Sequence, residues 1–463
     1  MGKGETPREG AGKIGPLGFT LIMFSMAACL PLFFLGPIAY KMGLSPGEAL
    51  LGALLGNLAV AVALGLNARA GIERRERFGD QARRIFGRLY KIPVLLRGLV
   101  GALWYGVEAF NGALALAMIT LFALGAGKAQ ITGEAFKVLP LFLALYIGLI
   151  IVFFRKGVDG IGQAANLAGP ALFLYFAWLA LWVHGQSRAA PPAGVGLTST
   201  AFLLYLAIQT NWWATVAINI SDLSVGARDW RTVWIGALAG LVGGQLLGTY
   251  LGYQLALATG RVLPQEIILY SAPGAVAVVL GLLFSFLAPW TTDLSANLPA
   301  LSDLIEELFG TSQKRAAIIA GLLGFILAPW YLLGRAQDIV GYVTSFASSY
   351  GVILGPILGA MLAAEYLPWK ARNTGLIATA SMIIGILVSY AYSIVTHTME
   401  TVTLHGVSIP FPGSLSWFIG VTASIAAYAA TIGILPGSRR TPLATAEPPS
   451  IKAPIESETG RQP

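Results

Sequence analysis

Charge is scarce in this sequence. Only 11% of its 463 residues are charged and 56% are hydrophobic, whereas an ordinary soluble domain carries roughly a quarter charged residues. That share cannot wet the surface of a water-soluble chain of this length, which excludes a soluble enzyme and a disordered protein alike. Cysteine is scarcer still. Cys29 stands alone, so an internal disulfide and a disulfide-built scaffold are ruled out. The three histidines, His184, His397 and His405, fall in outer loops without ligand spacing, and no metal cluster is expected. A nucleophile–base pattern and a phosphate-binding glycine loop are also missing. An intramembrane enzyme such as a lipid-modifying transferase would need one of these at the membrane surface, so the chain does not read as an enzyme and no organic cofactor is expected.

Long apolar runs are what the sequence has in abundance. A membrane-crossing helix takes about 20 apolar residues, so twelve crossings take roughly 240 and leave room only for loops and tails. Runs bounded by charge, Pro or Gly predict spans 1–6 at residues 17–40, 49–66, 94–124, 139–154, 161–183 and 199–220. Spans 7–12 are predicted at 233–258, 275–303, 316–333, 339–366, 375–395 and 415–435. The runs are continuous, not the short alternating segments of a membrane barrel, so the expected fold is an all-α polytopic membrane protein. With a cytoplasmic N-terminus, 24 of the 30 Lys and Arg residues lie in inner segments. That is the positive-inside signature. It assigns the formal charge of +8 to topology and anionic lipid heads, not to nucleic acid. The expected location is the plasma (inner) membrane, multi-pass, with both termini cytoplasmic.

Residues 69–91 hold eight of these basic charges, interspersed with Ile72, Phe78, Ile85 and Leu89. This stretch predicts an amphipathic helix on the cytoplasmic surface; a solvated basic loop is the alternative. The tail after Pro436, rich in Pro, Ser, Thr, Glu and Arg, cannot build a core and reads as disordered. Met1-Gly2-Lys3-Gly4-Glu5-Thr6 matches an acylation pattern, but a polytopic chain gains nothing from one acyl chain. Met26-Ala27-Ala28-Cys29 is followed by apolar Leu30-Pro31-Leu32-Phe33-Phe34, so span 1 reads as a retained crossing and not a cleaved signal.

A helix in lipid breaks only where its freed backbone groups find partners, usually at a binding cavity. Span 1 carries Ser25 and then Ala27-Ala28-Cys29-Leu30-Pro31 near its middle, and span 6 carries Gln209-Thr210-Asn211-Trp212-Trp213. Span 8 carries Ala288-Pro289-Trp290-Thr291-Thr292-Asp293, then Ser295 and Asn297, while span 3 carries Trp104, Glu108 and Asn111. Paired interruptions in spans 1 and 6, and in 3 and 8, suit two five-helix repeats with a transport site between them. Glu108 is the most informative residue. An ionised carboxylate in hydrocarbon costs roughly 3 kcal/mol, so it must face a ligand, a proton, or a structural partner such as Arg97 or a polar group of span 8. Trp104 lies four residues away on the same helix face, and a π-face beside a carboxylate suits a flat heterocycle with N–H donors. Thr291 and Thr292 either bond their own i−4 carbonyls or, with the break at Pro289 and with Asp293, hold a small cation or a proton. Asp222 reads as a solvated or gate-pairing charge at the inner end of span 6.

Taken in order and spacing, these segments resemble the nucleobase:cation symporter-1 family, which includes cytosine and hydantoin permeases. The matching pieces are Arg97-Gly98-Leu99-Val100 through Trp104-Tyr105-Gly106, Trp213-Ala214-Thr215-Val216-Ala217-Ile218-Asn219-Ile220-Ser221-Asp222, Trp290-Thr291-Thr292-Asp293-Leu294-Ser295-Ala296-Asn297, Gly355-Pro356 and Glu365-Tyr366. The resemblance implies a leucine-transporter-like 5+5 inverted repeat with spans 1 and 6 discontinuous, plus two C-terminal helices. It implies a planar substrate between Trp104 and Trp213, polar substrate contacts at Glu108 and Asn297, and a sodium site at Ser25, Ala28, Ala288, Thr291 and Thr292. Three positions depart from the hydantoin permease pattern: Glu108 and Cys29 each stand for a Gln, and Asp293 for an Asn. With Cys29 and Asn211 added at the two breaks, the expected substrate set is Trp104, Glu108, Trp213, Asn297, Cys29 and Asn211, with Asp293 as a candidate coupling residue.

The function expected is a monomeric secondary symporter, importing a nucleobase or related heterocycle (cytosine, uracil, a purine or a hydantoin) with Na+ or H+ by alternating access. The start of span 10, around Gly341 and Ser345, is the expected gate. An alternative keeps the fold and takes an amino acid or cationic compound with Glu108 as its counter-ion. The expected organisation is a tail over 1–16, a transporter core over 17–366, spans 11–12 within 367–435, and a cytoplasmic tail over 436–463.

Overall fold

The computed structural model describes residues 12–155, 161–184, 190–333, 339–367, 374–404, 407–413 and 415–434. The acylation pattern at the N-terminus, the tail beyond 434, and Arg188, Arg335 and His405 lie outside the described residues. Among those described, nine helices are long and apolar enough to cross a membrane, and Pro16–Ala27 with Leu32–Lys41, bent by 52°, make a tenth when taken as one span. Spans 5 and 9 form the helices Ile161–His184 and Gln313–Leu327. The second has 15 residues, shorter than the usual crossing, so a count of twelve rests on these two.

Span 1 breaks where the sequence places Pro31. Ala28 to Pro31 leave the helix, and Pro31 then opens the second half, where its missing N–H costs nothing. Span 2 is Pro46–Asn67, started by a capping box in which the Ser45 Oγ accepts from the Glu48 N–H at 3.3 Å and a Glu48 oxygen accepts from the Ser45 N–H at 2.8 Å. Span 3 is the long helix Lys91–Ala123. Span 4, Lys128–Arg155, begins eleven residues before the predicted start, because Pro140 is carried inside the helix. Span 6 divides into Thr200–Trp212 and Ala214–Asn219 at Trp213.

Two spans contain a widened, π-type turn, which appears mostly as single-turn bulges at functional sites. In span 7 it is Gly236–Val242, between Trp230–Ile235 and Gly243–Thr259; in span 8 it is Asp293–Asn297, between Gly274–Thr292 and Leu298–Phe309. Asp229 starts span 7 by accepting from the Thr232 hydroxyl at 2.7 Å and the Thr232 N–H at 2.8 Å, bonds that hold its carboxyl below the ordinary range. Span 10 divides at Tyr350 into Ile339–Ser349 and Gly351–Tyr366. Spans 11 and 12 are Thr374–Val395 and Ser416–Ile434. Between them the all-helical expectation meets one exception, an antiparallel hairpin of Met399–Leu404 and Val407–Pro412. A helix between spans 7 and 8, Pro264–Ser271, also went unpredicted.

Packing uses small residues, as expected where lipid gives helices no hydrophobic reason to associate. The C-terminal halves of spans 1 and 7 touch backbone to backbone. A Cβ on Gly36 would collide with the Tyr253 N–H, and one on Gly252 would stand 2.6 Å from the Phe33 carbonyl. Spans 10 and 12 meet the same way through Gly355 and Gly359 against the Trp417 and Val421 carbonyls, each at 2.5 Å from an added Cβ.

The basic stretch folds as Arg69–Arg74 and Phe78–Phe86. The helical expectation holds, but its apolar face turns inward: Phe78, Ile85 and Phe86 are buried, and the Phe86 carbonyl and the Gly87 N–H lie against Gly375 at the start of span 11. Its charges tie it to three spans. Buried Glu365 of span 10 pairs with Arg74 at 2.6 Å and with Arg84, and Glu307 of span 8 pairs with Arg83 at 2.6 Å. Asp222 of span 6 accepts the Phe78 N–H at 2.8 Å.

Candidate substrate and ion site

Span 3 carries the first half of the site. Glu108 is buried, and its Oε2 has no hydrogen-bond partner. The Cys29 thiol, at the break of span 1, lies close to the Glu108 carboxyl group. Arg97 is not its partner; the counter-charge facing Arg97 is Asp222. Asp293, wholly buried in the widened turn of span 8, interacts with Glu108 through space. Its two oxygens are taken: Tyr146 of span 4 donates to Oδ2 at 3.0 Å, and Asn297 donates to Oδ1 at 2.7 Å. Tyr146 reaches Asp293 by crossing span 3 over Gly112, where any Cβ would strike its ring. Tyr105 adds a buried hydroxyl without a partner, near Asp293. Cys29, Glu108, Asp293 and Asn297 are thus brought together, with Tyr105 and Tyr146 as members that the sequence reading missed.

One helical turn toward the start of span 3, Trp104 sits in an aromatic cluster, edge-on to Trp212 with centroids 4.8 Å apart and to Phe346 of span 10 at 5.1 Å. Its indole N–H donates to the Tyr350 hydroxyl at 3.2 Å, and that hydroxyl donates to the Asn211 carbonyl at 2.9 Å. The Asn211 side chain donates to the Ser348 carbonyl at 3.1 Å. Asn211 therefore ties the break of span 6 to the break of span 10, and its Oδ1 is buried without a partner.

Trp213 goes elsewhere. Its indole donates to Gln245 of span 7 at 3.0 Å, and Gln245 donates to Gln209 at 3.0 Å. Gln209 in turn accepts from Asn57 of span 2 at 3.1 Å and donates to the Tyr205 hydroxyl at 2.6 Å. The ring that the structure brings to Trp104 is Trp212, not the expected Trp213. Neighbouring residues on a helix point about 100° apart, and the pair Trp212-Trp213 does not say which one faces inward.

At the expected ion site, Thr291 donates to the Leu287 carbonyl at 2.9 Å and to that of Ala288 at 3.0 Å, and Thr292 donates to the Ala288 carbonyl at 3.0 Å. The hydroxyls thus bond their own helix, as membrane threonines commonly do. Gly169 of span 5 leaves room beside the break of span 1, since an added Cβ would stand 3.1 Å from the Ser25 carbonyl and 3.2 Å from that of Ala28. Carbonyl and hydroxyl oxygens are the donors a small hard cation takes. Asn111, read as a mid-membrane polar residue, bonds the Val107 carbonyl at 2.9 Å and takes no part.

Two discontinuous helices meeting buried carboxylates and an aromatic cluster at mid-depth define a membrane transporter of the broken-helix type. The chain belongs to the family of permeases for cytosine/purines, uracil, thiamine and allantoin, whose family model matches residues 12–420. It is a permease and not an enzyme. It is 28% identical over 379 residues to the purine-uracil permease of Arabidopsis thaliana, a match covering 77% of this chain and 62% of that protein's length. It is 24% identical over 451 residues to the allantoin permease of Bacillus subtilis, covering 85% of each. In fold it is similar to the inward-facing conformation of Mhp1, with a TM-score of 0.72 and 19% identity over 94% of this chain and 95% of that one.

Proposed function

We propose that the protein is a secondary symporter that imports a neutral, planar N-heterocycle or ureide across the plasma membrane, working as a monomer with both termini cytoplasmic. The observation that carries this reading is the buried, unpartnered Oε2 of Glu108 one turn from Trp104. In its ionised form this carboxylate only accepts hydrogen bonds and selects a ligand edge with N–H donors, while the Trp104 cluster supplies an aromatic face. The purine, uracil and allantoin of the relatives' names all offer such edges.

Spans 1–10 within 17–366 form the transporting core, and Cys29, Asn211 and Asn297 border the ligand. The coupling ion is Na+ at Ser25, Ala28, Ala288, Thr291 and Thr292, or H+ carried by Asp293. Trp213 acts by holding span 6 to spans 2 and 7 while Trp212 faces the ligand. Bound cation favours the ligand-binding state, and linkage makes the ligand raise cation affinity by the same factor.

Uptake of labelled cytosine, uracil, hypoxanthine, allantoin and hydantoin into proteoliposomes, under a sodium gradient or a pH gradient alone, tests the reading. Saturable uptake of at least one is expected, and none across the panel would end it. Near-complete loss in Glu108→Gln, with uptake of an amino acid or cationic compound by the wild type, would favour the counter-ion alternative.

A further inference from the structure

A second polar chamber lies on the cytoplasmic side, with a volume of about 220 Å³. The Phe78–Phe86 helix, span 3, the inner end of span 6 and span 8 form its walls. Arg97 is among its lining residues. The Arg97 Nε is sealed from solvent and has no hydrogen-bond partner. The opposing Asp222 is already engaged, one oxygen by the Phe78 N–H at 2.8 Å and the other by the Asn219 amide at 3.1 Å. Arg83, also on the wall, is held by Glu307 at 2.6 Å.

Arg97 lies eleven residues before Glu108 on one helix, about three turns or 16 Å, and on the same face. Gly101 and Trp104 stand between them on that face. The guanidinium lies back over Gly101, whose added Cβ would be 3.3 Å from Nη1. A single face of span 3 therefore presents, from outside to inside, a carboxylate, an indole, a gap and a guanidinium.

We propose that this chamber is a second ligand subsite, a release station in which the Arg97 guanidinium receives the carbonyl edge of the substrate after its N–H edge leaves Glu108. This rests on the heterocycle reading above. The two sites are complementary, an acceptor at one end and a five-donor fork at the other, and oxo-heterocycles and ureides carry both edges. Arg77, Arg83 and Arg97 balance Asp80, Asp222 and Glu307 around the chamber, so it suits a neutral ligand over an anion. Its volume is below the roughly 300–1,000 Å³ of drug-sized pockets, which limits it to a small ring system.

The test is transport in right-side-out and inside-out vesicles with labelled uracil, allantoin and hypoxanthine. Arg97→Met should raise the KM measured from the cytoplasmic face at least fivefold and shift the KM from the outer face less than twofold, with Arg97→Lys partly restoring it. Ala300→Phe fills the same chamber from span 8, leaves Arg97 intact and should give the same asymmetry, so the outcome does not hang on one variant folding. An unchanged cytoplasmic KM in both variants, or equal shifts at the two faces, overturns the subsite. Wild-type protein that transports none of the three probes from either face overturns the heterocycle reading, and the subsite falls with it.

Discussion

Removing the Tyr350 hydroxyl should uncouple three spans at once. In Tyr350→Phe the Trp104 N–H loses its acceptor at 3.2 Å and the Asn211 carbonyl loses its donor at 2.9 Å. The carbonyl is still served by the Trp213 N–H, so the indole is the group left bare. A buried polar group stripped of its partner costs about 1–3 kcal/mol, and with one acceptor partly satisfied the expected loss is about 1–2 kcal/mol. The assay is unfolding of purified protein in mixed micelles for Tyr350→Phe, Trp104→Phe and the pair. Trp104→Phe removes the same N–H, so the two changes should be non-additive by about 0.5–1.5 kcal/mol. Ligand affinity should fall in both single variants, because the indole is no longer held at a fixed angle. Additivity within about 0.5 kcal/mol would refute the claim that this hydroxyl orients Trp104.

Other expectations follow from single contacts. Trp212→Ala should alter ligand affinity and the size of ligand accepted, as it opens the cluster around Trp104, whereas Trp213→Phe should lower stability by about 1 kcal/mol through its lost bond to Gln245; binding and melting curves separate the two. Gly36→Ala places a methyl group in the backbone of span 7 and should destabilise by about 1–3 kcal/mol or prevent folding, read as a lower melting temperature or lost expression. Asp293→Asn should abolish uptake driven by a pH gradient alone if the proton is the coupling ion, and should leave sodium-driven uptake in place if it is not.

The spans were legible because lipid demands continuous apolar length, and the break of span 1 because Pro31 follows small residues at mid-depth. The break of span 6 was legible as a cluster of polar and bulky residues, but its register was not: the family resemblance points to Trp213, and the ring beside Trp104 is Trp212. Tyr350 and Tyr146 went unread, since a lone tyrosine in an apolar run looks the same whether it fills the core or bonds across helices. The glycine beside Tyr350 has its reason in the fold, since a Cβ at Gly351 would collide with the Asn211 side chain. The amphipathic stretch was visible from its periodicity, but periodicity shows that a face is buried and not whether lipid or protein covers it.

In the proposed function Glu108 accepts hydrogen bonds from the N–H edge of a neutral heterocycle. Replacing a charge-assisted bond, about 1.5–3 kcal/mol, by a neutral one of about 0.5–1.5 kcal/mol leaves a difference of about 1–2 kcal/mol, or roughly 5- to 30-fold in affinity. Equilibrium binding of the transported heterocycle to wild type and Glu108→Gln measures this directly. The account predicts a weakened Kd of that size with binding retained; an unchanged Kd would contradict it.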